Sequence, residues 1–193
     1  MIQIETHEIE GLLLIKPDIF PDDRGIFLET FNDMKINSLG EDASYIKETE
    51  FVQDNLATNV RKNVIRGMHF QKTKLQAKLV SCLMGSILDV VVDFRRDSPT
   101  FGKSFSFVLD DKEFNQLFIP RGCAHGYKTI EDFCIVSYKA DNYYDQEDYT
   151  GVIWNDPELN IDWELSKNDE ITISDQDANW GTFKDFANSD IVF

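Results

Sequence analysis

The sequence is short of histidine and cysteine, with three of each in 193 residues, and each scarcity removes a class of chemistry. His7, His69 and His125 lie far apart, and neither an HxH nor an HxxxH pairing occurs. The clustered imidazoles that hold a metal in many small β-barrels are therefore missing, and no metal is expected. Cys82, Cys123 and Cys134 are odd in number and lack CxxC spacing, so they read as core thiols of a reducing compartment. There is no GxSxG elbow, Walker loop or dinucleotide glycine fingerprint, which argues against a serine nucleophile, ATP chemistry and a bound nicotinamide cofactor. No apolar run approaches the roughly 20 residues of a membrane-spanning helix. The first residues, Met-Ile-Gln-Ile-Glu-Thr-His-Glu, carry neither a basic head nor an apolar signal core, so a cytoplasmic location without membrane attachment is expected. Positive charge is scarce too: 19 Lys and Arg against 35 Asp and Glu leave a formal charge of −16, which disfavours nucleic acid as a partner. No linker or composition shift divides the chain, and one domain over residues 1–193 is expected.

What the chain has in quantity is apolar mass, with 42% hydrophobic residues and fifteen Phe, enough for a substantial core. Residues 2–15 are strand-like, with Gly11 separating two apolar segments. Residues 20–31 combine a tight turn, where Gly25 can supply φ > 0, with a further strand. A short helix fits residues 32–39, a loop residues 42–47, a strand residues 51–55 and a polar loop residues 56–62. From residue 79 the β signals are dense: segments 79–83, 87–94, 103–109, 116–119 and 133–139 are short, β-branched or aromatic, and separated by turn sequences such as Pro120-Arg-Gly. Ser104, Ser106 and Val108 alternate with Phe105, Phe107 and Leu109, as in a sheet with one packed face. Short strands without intervening amphipathic helices predict an all-β sandwich or barrel with a few short helices. The C-terminal third reads as loop anchored by aromatics, with a short helix over residues 174–179 capped by Ser174.

Against this acidic background, residues 63–80 gather Arg66, His69, Lys74 and Lys78. An imidazole exchanges protons near neutral pH, and neighbouring cations hold an anionic substrate or the oxyanion left when a proton departs. The stretch therefore suggests proton transfer on an anionic small molecule, with a solvated strand end as the plainer alternative. Strict alternation puts Arg66 opposite His69, unless Gly67 marks a bulge that changes the parity. Acid–base candidates are His69 and His125 as bases, Tyr138 and Tyr144 as acids, and Lys78 as oxyanion partner. His125 equally fits a buried structural histidine, and Arg24 either a loop cap or a phosphate fork.

Several motifs occur together in one order: Asp23-Arg-Gly-Ile-Phe-Leu-Glu, Phe51-Val-Gln-Asp-Asn, Ile65-Arg-Gly-Met-His-Phe-Gln, Gln76-Ala-Lys-Leu-Val, Asp89-Val-Val-Val-Asp-Phe-Arg-Arg-Asp-Ser-Pro-Thr-Phe-Gly, Ile119-Pro-Arg-Gly-Cys-Ala-His-Gly-Tyr, residues 138–144 and Trp154-Asn-Asp-Pro. With these the chain resembles the dTDP-4-dehydrorhamnose 3,5-epimerase family over about residues 20–177. The resemblance implies a cupin-type jelly-roll barrel, a homodimer, no cofactor, and a nucleotide-sugar substrate whose C3 and C5 protons flank a C4 ketone. It further implies His69 as general base, Asp177 (or Asp175) as its orienting carboxylate, Lys78 on the O4 oxyanion and Tyr138 as the acid on the opposite face. Arg24, Glu29, Gln53, Asn55, Arg66 and His125 resemble sugar and nucleotide contacts, while Phe20 and Tyr144 match stacking partners of the base, one of them offered across the dimer. Ala57 and Asn59 stand where the family usually carries two serines. Inversion at C3, C5 or both remains open at this level, as do a 3,4-ketoisomerase and a non-catalytic nucleotide-sugar-binding barrel.

Overall fold

Strand β8 (Ser86–Asp93) is buried along its whole length, and the two faces it presents explain the architecture. In the computed structural model, which describes residues 2–193, Ile87 and Val91 enter one apolar cluster while Leu88, Val90 and Val92 enter another. Successive strand side chains point to opposite faces, so a strand that is apolar on both must lie inside a layered structure.

The first layer is a six-stranded sheet in the order β1 (Gln3–Thr6), β2 (Leu13–Lys16), β10 (Gln116–Ile119), β7 (Lys78–Met84), β12 (Cys134–Ala140) and β5 (Gln53–Asn59). The second is a five-stranded sheet in the order β13 (Tyr149–Gly151), β6 (Ile65–Gln71), β11 (Cys123–Thr129), β8 and β9 (Ser104–Asp110). All pairings within the two sheets are antiparallel. From β5 to β8 the chain alternates between the sheets, which makes an all-β jelly roll of the cupin type. Val80, Cys82, Leu117 and Val136 from one sheet meet Ile87, Val91, Leu109 and Cys123 from the other, closing one end of the interior with apolar packing. The opposite end stays polar, and there the site lies.

Two further clusters cover the outside. The C-terminal segment folds over the five-stranded sheet, where Leu159, Trp163, Phe183 and Phe186 pack on Phe70, Leu88 and Phe94. Over the other sheet, helix α1 (Asp33–Asn37) and helix α2 (Ser44–Lys47) bury Ile36 and Ile46 against Leu13, Ile15 and Phe118. A separate ribbon, β3 (Ile19–Asp22) and β4 (Gly25–Leu28), leaves Phe20, Ile26 and Phe27 at least half exposed.

The strands expected from residue 79 onward, the alternating face of β9 and the α1 helix, capped by the Asn32 side chain on the Lys35 N–H, all form. The Ser174 hydroxyl accepts from the Asp177 N–H at 3.0 Å, but it is not the expected N-cap: the element is a 3-10 turn over Asp177–Asn179 whose N-cap is Gln176. Two further expectations are corrected. Residues 42–47 are helical rather than loop, because Ala43 and Ile46 find burial over a length too short to show a period. Residues 56–59 continue β5 rather than looping, since they pair with Cys134 to Ser137 of β12. Their inward face lines a polar interior, so the apolar alternation that marks a strand is absent. Strands β11 and β13 add to the expected set; Cys-Ala-His-Gly-Tyr-Lys-Thr has too few branched side chains to announce a strand.

Candidate active site

Gly67 sets the geometry of the site. On β6, His69 pairs with His125 and Arg66 with Tyr127 of β11, so three steps on one strand match two on the other and β6 carries an extra residue. Gly67 has φ of +117°, and a Cβ there would meet the Gly126 Cα at 2.5 Å. Only a glycine fits this close approach. The bulge resets the parity, and Arg66 and His69 line the same cavity instead of opposite faces. Met68 and Phe70 face the outer cluster.

Beyond the bulge, His69 and His125 are cross-strand neighbours, and each holds its own carboxylate. His69 Nε2 lies 2.7 Å from Asp177 Oδ1, whose other oxygen accepts from the Gly67 N–H at 3.1 Å. Trp180 Nε1 donates to Asp177 Oδ1 at 3.3 Å. Burial works against charge on Asp177, yet these donors outweigh it and hold the carboxyl below its ordinary value. Burial also lowers His69 against the pull of Asp177, leaving a neutral imidazole beside a carboxylate. With the carboxylate accepting at Nε2, the proton sits there and Nδ1 is the free base. Asp175 is exposed, and the carboxylate hydrogen-bonded to His69 is Asp177. His125 is 7% exposed and bonds Asp89 at 2.8 Å, so it is a buried, hydrogen-bonded group that still forms part of the cavity wall.

The facing sheet supplies the other wall. Tyr138 of β12 is flanked by Asn55 of β5 and Val80 of β7, and burial raises its phenol above the ordinary value, so it keeps its proton at neutral pH. Lys78 of β7 is 9% exposed; desolvation lowers its ammonium to about 8, partly countered by Asp89. Gln53 donates to Asn55 Oδ1 at 2.8 Å and accepts from the Tyr144 N–H at 3.0 Å, which ties the loop bearing Tyr144 to the rim. The Asn55 Nδ2 group is buried without a hydrogen-bond partner, an unspent donor in the cavity wall. None of the residues lining the cavity is acidic, and the cations Arg66 and Lys78 are among them. In a chain of charge −16, this local cationic surface suits an anion.

Of the residues singled out in the sequence, His69, Lys78, Tyr138, Gln53, Asn55, Arg66, His125 and Tyr144 thus converge on one cavity, with Asp177 behind His69. Arg24, Glu29 and Phe20 do not line it: Arg24 pairs with Asp22, Glu29 with Lys35, and Phe20 packs beside Phe27. Tyr149 does line it, with its ring centroid 5.0 Å from that of His69, and was not singled out individually. Its three-residue strand is too short for a period; the tyrosine cluster at 138–149 was the available signal. Gln76 and Tyr127 are further lining residues, both inside motifs quoted above.

A jelly-roll interior that places an oriented imidazole and a protonated phenol on facing walls, with a buried ammonium between strands, defines an acid–base enzyme. The family model for dTDP-4-dehydrorhamnose 3,5-epimerase matches residues 6–185. The enzyme of that name from Methanothermobacter thermautotrophicus is 42% identical over 172 residues, covering 89% of each chain. The crystal structure of the dTDP-6-deoxy-D-glucose-3,5-epimerase RmlC from Legionella pneumophila in complex with dTDP-4-keto-L-rhamnose superposes with a TM-score of 0.87 at 34% identity, over 95% of this chain and 94% of that one. The rmlC epimerase of Mycobacterium tuberculosis gives 0.90 at 32% identity, over 98% and 92%. The chain belongs to the dTDP-4-dehydrorhamnose 3,5-epimerase family, and it is an isomerase.

Proposed function

We propose that the chain epimerises a nucleoside-diphosphate 4-keto-6-deoxyhexose, most simply the dTDP sugar, at carbons next to the ketone and without a cofactor. The observation that carries this reading is the pairing of His69 and Tyr138 from facing sheets in a cavity lined by cations and no acid. His69 takes the proton from C3 or C5, and the electron pair left behind moves to O4 as an enolate. Lys78 stabilises that oxygen as an ammonium. Tyr138 then delivers a proton to the opposite face of the carbon, which inverts it, and solvent restores both groups. Asp177 fixes the imidazole tautomer and supports the imidazolium during the step.

Gln53, Asn55, Arg66 and His125 hold the sugar and diphosphate, and Tyr144 stacks on the base. Arg24, Glu29 and Phe20 belong to this reading through a second copy. They stand on or next to an exposed ribbon that leaves Phe27 66% exposed, a surface suited to burial against a partner. The working unit is accordingly a homodimer, in the cytoplasm, built of one domain per chain.

Incubation with the 4-keto sugar nucleotide in D₂O tests the assignment. Deuterium at C3 and C5 with inverted configuration is expected. Exchange at one carbon alone restricts the enzyme to a single centre; a displaced carbonyl makes it a ketoisomerase; binding without exchange refutes catalysis.

A further inference from the structure

Asn59 lies at the inner end of β5, next to the cavity but with no part in the chemistry above. It is 3% exposed. Its Oδ1 accepts from Arg66 Nε at 3.0 Å, and its Nδ2 donates to the Cys134 carbonyl at 3.3 Å on the paired strand. The Tyr127 hydroxyl sits 3.3 Å from each end of the amide. The amide is therefore anchored on two sides and offers one acceptor to Arg66.

Among the described residues, the arginine on the other end shares with the exposed Arg61 the lack of a carboxylate or carbonyl partner, and unlike Arg61 it lines the cavity. Arg24, Arg95 and Arg121 pair with Asp22, Asp93 and Asp141, and Arg96 is spent on four backbone carbonyls of residues 186–191. Among the described residues, Asn59 alone hydrogen-bonds the exposed Arg66 guanidinium, whose charge otherwise acts on the neutral phenols of Tyr127, Tyr138 and Tyr149. Its Nη edge is left free in a cavity without a carboxylate.

We propose that Asn59 is a positioning residue: by holding Arg66 at Nε it presents the Nη edge as a ready-made fork for the substrate diphosphate. This rests on the nucleoside-diphosphate reading above. A guanidinium binds phosphate best through two parallel N–H donors on one edge, and a long side chain fixed beforehand loses less freedom on binding. A neutral amide does this without the charge neutralisation that an aspartate or glutamate would impose, so Arg66 keeps its full charge for the ligand.

The test compares wild type, Asn59→Ala, Arg66→Ala and the double variant by calorimetric titration with dTDP and with thymidine, alongside steady-state kinetics. Asn59→Ala should weaken dTDP by about tenfold and leave thymidine affinity in place, with the kinetic loss falling on KM more than on kcat. In the Arg66→Ala background the same substitution should add nothing, since Asn59 acts through that side chain. Equal losses for dTDP and thymidine, or additive losses in the double variant, would overturn the role and mark Asn59 as packing alone. Wild type that binds dTDP while Asn59→Ala binds it equally well refutes the positioning role only. Wild type that binds neither dTDP nor the 4-keto sugar nucleotide refutes the substrate reading and the role with it.

Discussion

Replacing Lys78 by Met should make the protein more stable and leave it inactive. Lys78 is 9% exposed and makes no ion pair among the described residues. Burial brings its ammonium from 10.5 down to about 8, which at about 1.4 kcal/mol per tenfold change in proton affinity is a penalty of up to about 3 kcal/mol for keeping the charge inside. The sign follows from linkage. Below pH 8 the native state must carry a buried charge that the unfolded chain carries in water, so the penalty is fully present. Between about 8 and 10.5 the unfolded state binds the proton and the native state does not, so stability rises with pH and the penalty fades. Methionine fills much the same volume without charge and has the flexibility to settle in the cavity wall. Urea unfolding at fixed protein concentration near neutral pH should show Lys78→Met more stable by up to about 3 kcal/mol, or roughly 6–12 °C in Tm, with the gap closing above pH 8. A variant less stable than wild type, or a gap independent of pH, would refute the picture of a charge held in place for chemistry at the expense of the fold.

Activity should follow the same group: kcat/KM should decline as pH rises through about 8, where Lys78 loses its proton, and a plateau up to about pH 10 would contradict its role as an ammonium. Asp177→Asn removes the carboxylate at 2.7 Å from His69 and should slow proton exchange by roughly 10–100-fold, the worth of one charge-assisted bond; a loss under about twofold would detach Asp177 from the base. Gly67→Ala forces a Cβ to within 2.5 Å of the Gly126 Cα at positive φ and should cost at least about 2 kcal/mol in urea unfolding. An unchanged midpoint there would show that the bulge accepts a side chain.

The barrel was legible where both faces of a strand are apolar or cleanly alternating, as in β8 and β9, because burial dictates those patterns. The first half of β5 was legible as a strand, but residues 56–59 were not: with Ala57 and Asn59 on the inner face and an exposed outer face, that half has no apolar alternation and looks like loop to any reading based on hydrophobic period. Function erases the signal that would locate it. The basic cluster around His69 stood out against the charge of −16, but its partner Asp177 did not, for one aspartate in an acidic tail carries no mark of the 108 residues it spans to reach the imidazole. That contact is created by the C-terminal segment folding over the five-stranded sheet, and only the motif order pointed to it. Tyr149 and Asn59 were obscure for a related reason. Each gains its position from cross-strand register, which a lone sequence does not display.

The central claim is that His69 and Tyr138 act on opposite faces of one sugar ring. It is tested most directly by following Tyr138→Phe with the 4-keto sugar nucleotide in D₂O, measuring deuterium uptake and configuration at C3 and C5 in the same samples. With the phenol removed and His69 intact, uptake should persist with retained configuration while inversion collapses, and His69→Ala should show neither. Uptake and inversion falling together in the phenylalanine variant would contradict the two-faced arrangement.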